Sequence, residues 1–149
     1  INTYGYVYQN PLKYIDPLGL DVRRCARELG NRNGAPLPPS GSPFRHDYIA
    51  VNDEVFSFQA GSNMLWSAGW IDNDEETDNP ECVTISEGDE DFDSALVQAV
   101  NAVGVPTHNV FAYPTFSTYM LGARNCQTWS DDVIDRAEEI YNKSTTSGR

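Results

Sequence analysis

A cysteine, a histidine and a glutamine stand out in this chain as groups that could act together on an acyl carbon. Cys126 lies in the segment GARNCQTWSDDVIDRAEEIY, where Gly122 and Asn125 mark the point at which the chain turns into a helix. Asn125 is a good N-cap, because its side-chain oxygen can accept a first-turn amide N–H. Cys126 then falls in the first turn. Unpaired amides and the helix dipole favour an anion there, the form in which a thiol is a nucleophile. Cys126, Trp129, Val133, Ala137 and Ile140 fall on one helical stripe, so the thiol faces the protein body. An inert core cysteine would show the same spacing, and what separates the two readings is a base. A nucleophile needs one group to take its proton and another to orient that group.

The chain has two histidines, His46 and His108. His46 opens HDYIAVNDEVFSFQ, in which two alternating apolar stretches flank Asn52-Asp53. Asn and Asp tolerate the left-handed backbone of a tight turn, so residues 46–59 predict a β-hairpin. With Asn52-Asp53 as the loop, Val51 faces Glu54, Ile49 faces Phe56 and His46 faces Gln59. Directly opposed side chains share a sheet face. A Cys126–His46 pair with Gln59 as the orienting group is thus available, and Ser57 takes that place if the strand is bulged. Asp47 points to the opposite face and is a poor orienter. His108, in Pro106-Thr107-His108-Asn109, reads as a loop histidine. Tyr113 or Tyr119 could lend a hydroxyl to an oxyanion, although the Cys126 amide is the safer donor.

The pairing of HDYIAVNDEVFSFQAG with a later RNCQTW resembles the circularly permuted branch of the NlpC/P60 papain-like superfamily, which includes the lecithin:retinol acyltransferase-like enzymes. In that branch a strand histidine precedes a cysteine that opens a helix in an N-C-x-x-aromatic motif. The resemblance implies His46 as base and Cys126 as nucleophile, with Asn125 and Trp129 at the flanking motif positions. It also implies an α+β, papain-like fold: an antiparallel sheet packed against the helix that carries the nucleophile. Several relatives have a second polar residue, often histidine, where this chain has Phe58. Phe58 cannot orient an imidazole, so the third position departs from the pattern.

A second resemblance lies in the string YGYVYQNPLKYIDPLGL, residues 4–20, which is similar to the end of the Rhs repeat core of polymorphic toxins. There the motif closes a large β-cage and a variable toxin domain follows. The resemblance implies that Asp16 belongs to a self-cleavage apparatus, that the cut falls after Leu20, and that the partners are the Rhs core and a cognate immunity protein. Read this way, residues 1–20 end the core, 21–45 form a linker, 46–142 the papain-like toxin domain and 143–149 a flexible tail.

The remaining elements frame these residues. Asp21 to Leu29 reads as a short helix carrying Cys25, and residues 30–43 are rich in Gly, Pro, Ser and Asn. Met64 to Ile71 predicts a strand, and Cys82 to Ser86 a shorter one in which Cys82 is a small buried hydrophobe. Asp91 to Val103 predicts a helix on the stripe Phe92, Leu96, Val100 and Val103, stopped by Gly104 and Pro106. Residues 109–121 suggest one strand broken at Pro114, and residues 125–141 the second strong helix.

Three widely spaced cysteines form no disulfide framework and no zinc pattern. The acidic run at residues 72–81 alternates like a calcium loop, but Thr77 and Val83 stand where a glycine and a bidentate glutamate are needed. No cofactor or metal is therefore expected. The net charge of -12 repels phosphate backbones, which argues against a nucleic-acid substrate. The expectation is an antibacterial effector delivered into a target cell, a cysteine hydrolase acting on a protein, a peptidoglycan peptide or a lipid. Acyl transfer or side-chain deamidation would use the same pair. The alternative is a toxin that binds a partner or perturbs a membrane, in which Cys126 and His46 are structural.

Overall fold

The computed structural model describes residues 21–29, 36–73 and 81–147. The string at residues 4–20, with Asp16 and the cut after Leu20, lies outside the described residues, as does most of the acidic run. The strands are β1 (Asp21–Glu28), β2 (Arg45–Val51), β3 (Glu54–Gln59), β4 (Ser67–Ala68), β5 (Trp70–Asp72), β6 (Glu81–Glu87) and β7 (Thr107–His108). The helices are α1 (Glu90–Val103), α2 (Ser117–Met120) and α3 (Cys126–Ser147).

Five strands form an antiparallel sheet in the order β5-β3-β2-β1-β6, and β4 pairs with β7 in a small second sheet. The β2–β3 hairpin has the expected register, with Val51 opposite Glu54 and Ile49 opposite Phe56. Asn52 takes the left-handed conformation at φ 56° that the tight turn demands. Val22, Ile49, Val51 and Phe58 meet Phe92, Leu96 and Val100 of α1 and Trp129, Val133 and Ala137 of α3. This is an α+β arrangement with two helices packed on one face of an antiparallel sheet.

Both long helices begin and end for local reasons. Asp89 caps α1, its carboxylate accepting from the amides of Asp91 and Phe92, and Gly104 ends it at φ 72°. Tyr141 of α3 donates to Asp89 at 2.7 Å, and its ring meets Phe92 edge-on, which joins the two helices. Residues 142–147, expected to fray, continue α3. Glu139 supports that turn through Arg136 and Lys143, three and four residues away.

Several expectations are corrected. The segment at residues 21–28 is neither helix nor linker. It is β1, hydrogen-bonded on both sides by β2 and β6. Its helix-forming Arg, Ala and Glu residues are overridden by pairing along both edges. Cys25 and Cys82, expected to be an idle thiol and a buried hydrophobe, are register partners across β1 and β6 and form a disulfide. Cys126 is the free cysteine. Met64 to Ile71 gives two short strands rather than one. Residues 109–121 form turns and the single-turn α2, because Asn109 Oδ1 accepts the Phe111 amide and closes the chain on itself.

The disulfide spans 57 residues, and a crosslink of that length stabilises a domain by about 4 kcal/mol in the chain-entropy account. Alkylation of the denatured but unreduced protein is expected to label Cys126 alone, and all three cysteines after reduction. Labelling of Cys25 or Cys82 before reduction would refute the pairing. A second expectation concerns Asp93 in the first turn of α1. It is 7% exposed, and neither carboxylate oxygen has a hydrogen-bond partner among the described residues. Burial raises its pKa above the ordinary 3.8, reinforced by Asp21, Asp89 and Glu90, while the nearby Asn52 side chain opposes the shift. The folded state thus holds this proton more tightly than the unfolded chain does. Its contribution to stability therefore declines as pH rises through the interval above 3.8. Asp93→Asn is expected to raise stability at pH 7 by about 1 kcal/mol and to have no such effect below pH 3. Denaturant melts of both proteins across that range test it.

Candidate active site

The start of α3 is built from its own sequence. Asn125 Oδ1 accepts the Thr128 amide at 2.9 Å, and Thr128 Oγ1 accepts the Asn125 amide at 2.9 Å. This reciprocal cap satisfies two first-turn amides, as in a capping box. The Asn125 side-chain N–H donates to the Val110 carbonyl, fixing the preceding loop to the helix mouth. Below the cap, Trp129 stacks on Phe58 with 5.7 Å between ring centroids and donates its indole N–H to Gly104.

With the helix held in this way, Cys126 is 8% exposed and its sulfur lies 3.5 Å from the Arg45 carbonyl oxygen. Arg45 immediately precedes His46, so the thiol rests on the peptide leading into the histidine. The same carbonyl accepts from the Gln127 side chain. That amide also donates to the Ser42 carbonyl and the Tyr113 hydroxyl, while its oxygen accepts the Gly41 amide at 2.7 Å. Gln127 therefore folds residues 41–45 over the helix mouth.

His46 is buried at the start of β2, and its Nε2 lies 2.7 Å from Ser57 Oγ. Gln59 Nε2 donates to the same hydroxyl at 3.0 Å. A hydroxyl has one hydrogen and two lone pairs, so Ser57 can satisfy both neighbours in either histidine tautomer. Gln59, expected beside the imidazole, shares the Ser57 hydroxyl with it, a contact diagonal across the two strands.

Strand alternation separates His46 from Asp47 as expected. Asp47 is 1% exposed and accepts from Arg24 Nε at 2.9 Å and Arg45 Nε at 2.8 Å. Arg24 continues to Asp131 and to the Gln127 carbonyl, so this buried network clamps β1, β2 and α3 together. Removing one partner of such a network leaves an unpaired buried charge and costs about 3–5 kcal/mol.

One cavity of about 360 Å³ brings the expected groups together: its walls include His46, Gln59, Cys126, Gln127, Tyr113 and His108. The thiol bonds the Arg45 carbonyl and His46 Nε2 bonds Ser57, and neither of these contacts joins sulfur to imidazole. Catalytic contacts are often loose before substrate binds. Tyr113 is the better placed of the two tyrosines. Burial raises its pKa first, and nearby Cys126 raises it further, so its hydroxyl stays a proton donor. Tyr119 instead lies under the Arg124 guanidinium, 3.8 Å from its ring centre.

His108, expected in a loop, is 4% exposed on β7 and its ring lies tilted against Phe58, with 5.7 Å between centroids. Burial lowers its pKa, so the ring is neutral near pH 7. Gln127, Thr128 and His108 are the site residues that sequence reading missed. A polar residue directly after a first-turn cysteine was the one available signal, since it had to be buried with its neighbours. Among the described residues no cluster of three His, Cys, Asp or Glu side chains could hold a metal, and no helix is long and apolar enough to cross a membrane. No protein-family model matches this chain, and no solved structure matches it either.

Proposed function

We propose that this chain is a papain-like cysteine hydrolase, the toxic end of an Rhs-type antibacterial effector. The observation that carries the reading is the shared cavity. In it, a free cysteine in the buried first turn of α3 sits on the peptide preceding a histidine that is itself held by a Ser57–Gln59 relay. In the proposed reaction the Cys126 sulfur attacks a carbonyl carbon while its proton passes to His46. The oxyanion so formed is received by the Cys126 amide and the Tyr113 hydroxyl. Collapse breaks the bond to the leaving group, which takes the proton from His46 and departs. Water, activated by the now neutral imidazole, then adds to the acyl-enzyme and releases the acid and the thiol. Ser57 takes the orienting position, with Gln59 behind it.

The origin as an effector rests on the resemblance of residues 4–20 to the end of an Rhs core, as do the immunity partner and delivery into a target cell. The substrate is a target-cell protein, peptidoglycan peptide or lipid carrying an acyl group.

Cys126→Ala is expected to abolish growth inhibition when the chain is expressed in a bacterial host, with a thermal midpoint close to that of the unsubstituted protein. Retained toxicity would point instead to a toxin that acts by binding. Ser57→Ala is expected to slow acylation of Cys126 about 10-fold to 100-fold, by releasing the imidazole from its orientation. Because Ser57 is fully buried, this change also costs about 1–2 kcal/mol, to be measured in parallel. An unchanged acylation rate would remove Ser57 from the relay.

A further inference from the structure

Gln127 bonds more of the site than the proposed reaction uses. It is 3% exposed, and its carboxamide links residues 41–45 to Tyr113. The polarity of this amide is fixed. Its oxygen accepts the Gly41 amide at 2.7 Å, and a peptide N–H can only donate. Its nitrogen therefore faces the Ser42 carbonyl at 2.7 Å, the Arg45 carbonyl at 3.3 Å and the Tyr113 hydroxyl at 3.1 Å. Exchanging oxygen and nitrogen would set like groups against each other at Gly41, Ser42 and Arg45.

That polarity limits what Tyr113 can do. A phenol accepts through its oxygen and has one proton to give. Gln127 Nε2 cannot accept, so it occupies the oxygen and leaves the proton for another partner. Burial raises the pKa of Tyr113, whereas its hydrogen bonds with Gln127 and Asn125 lower it, the sign that donors to a phenol oxygen have. The hydroxyl is also tied to the thiol through this amide. The Arg45 carbonyl that Nε2 bonds is the one 3.5 Å from the Cys126 sulfur, and all four residues line the cavity.

We propose that Gln127 is a positioning residue: by donating to the Tyr113 oxygen it directs the hydroxyl proton toward the oxyanion formed when Cys126 attacks a substrate. This rests on Cys126 being the nucleophile and on Tyr113 receiving the oxyanion. Attack forms the S–C bond and moves the carbonyl π pair onto oxygen. The hydroxyl bonds that oxygen without losing its proton, and collapse restores the C=O bond and expels the leaving group.

Two electrophiles separate this role from a structural one. p-Nitrophenyl acetate is attacked at its carbonyl carbon, builds an oxyanion and expels p-nitrophenolate. Iodoacetamide is attacked at its saturated carbon and expels iodide, with no oxyanion. Rates at Cys126 in the full chain are followed by mass spectrometry and divided by those of glutathione, with a thermal melt of each variant. Tyr113→Phe is expected to slow acetylation about 100-fold, the effect of losing one oxyanion donor, and to leave alkylation unchanged. Gln127→Glu keeps an acceptor for Gly41 but turns an oxygen toward Tyr113, which captures the hydroxyl proton. Alone it should slow acetylation about tenfold, the worth of one hydrogen bond, and spare alkylation. Beside Tyr113→Phe it should add nothing. Gln127→Met, which removes the donor without supplying an acceptor, should show a smaller loss of the same selectivity. Equal slowing of both reagents by the Gln127 variants would overturn the proposal, since Gln127 would then hold the helix mouth rather than the proton. So would an unchanged acetylation rate in Gln127→Glu, a slowing that persists beside Tyr113→Phe, or loss of the folded state in both Gln127 variants. Tyr113→Phe without effect on acetylation would remove Tyr113 and this inference while leaving Cys126 in place. A Cys126 that reacts with neither reagent faster than glutathione does would sink the nucleophile reading and this inference with it.

Discussion

The whole site depends on one docking: the first turn of α3 against the Arg45 carbonyl at the start of β2. That single oxygen receives both the Cys126 thiol and the Gln127 amide. It joins residues 81 and 82 positions apart in sequence, so no local preference of the helix or strand could hold it. What holds it is the surrounding structure. The Asn125–Thr128 cap satisfies the amides of the turn, and Trp129 anchors the turn from below against Phe58. Without the cap, a buried helix end would leave amide groups desolvated and unpaired. Without the tryptophan, whose truncation in a core costs about 3–5 kcal/mol, the helix could slide along the sheet and the thiol would leave the peptide before His46.

A second constraint acts from the opposite face of β2. Because side chains alternate, the strand that presents His46 toward Ser57 must present Asp47 toward the helices. A carboxylate buried there is tolerable only with compensation, and Arg24 and Arg45 supply it. The ion network is thus a consequence of placing the histidine. It also explains why β1 is rich in arginine although it lies inside the sheet: Arg24 reaches over to Asp47 and on to Asp131, and so ties three elements at the level of the site.

Legibility in the sequence followed the range of the interactions. The hairpin was readable because alternation and an Asn-Asp turn are local, and the register they fix is a matter of counting. The stripe of α3 was readable for the same reason, and with it the inward direction of Cys126. β1 was not, because Arg, Ala and Glu favour helices in isolation and the pairing that overrides them comes from residues 17 and more positions away, from Glu28 opposite Arg45 onward. The Cys25–Cys82 bond was hidden for the same reason, since wide spacing says nothing about which strands become neighbours. His108 was hidden by composition: a Pro-Thr-His-Asn string reads as a loop, and only the return of residues 107–108 alongside Arg124 and Ser67 buries the ring. In the site, the sequence supplied the residue types and one of the two sheet faces. The Ser57 relay depended on a diagonal contact that a flat pairing diagram does not distinguish from the direct one.

The electrostatics of the cavity differ from those of the chain around it. The protein as a whole carries a net charge of -12, yet the walls include the His108 imidazole, whose pKa burial lowers, the Tyr113 hydroxyl, whose pKa burial raises, and two glutamines. The one cation among the lining residues, Arg45, is paired with Asp47. On the proposed reading, discrimination inside such a site comes from hydrogen-bond direction rather than from ligand charge, which suits an uncharged carbonyl group. The acidic exterior acts at another stage. Its field extends about one Debye length, roughly 8 Å at physiological salt, and favours the approach of cationic protein surfaces over anionic polymers. On the proposed reading, charge outside governs which molecules come near, and hydrogen bonds inside govern which bond is presented to the sulfur.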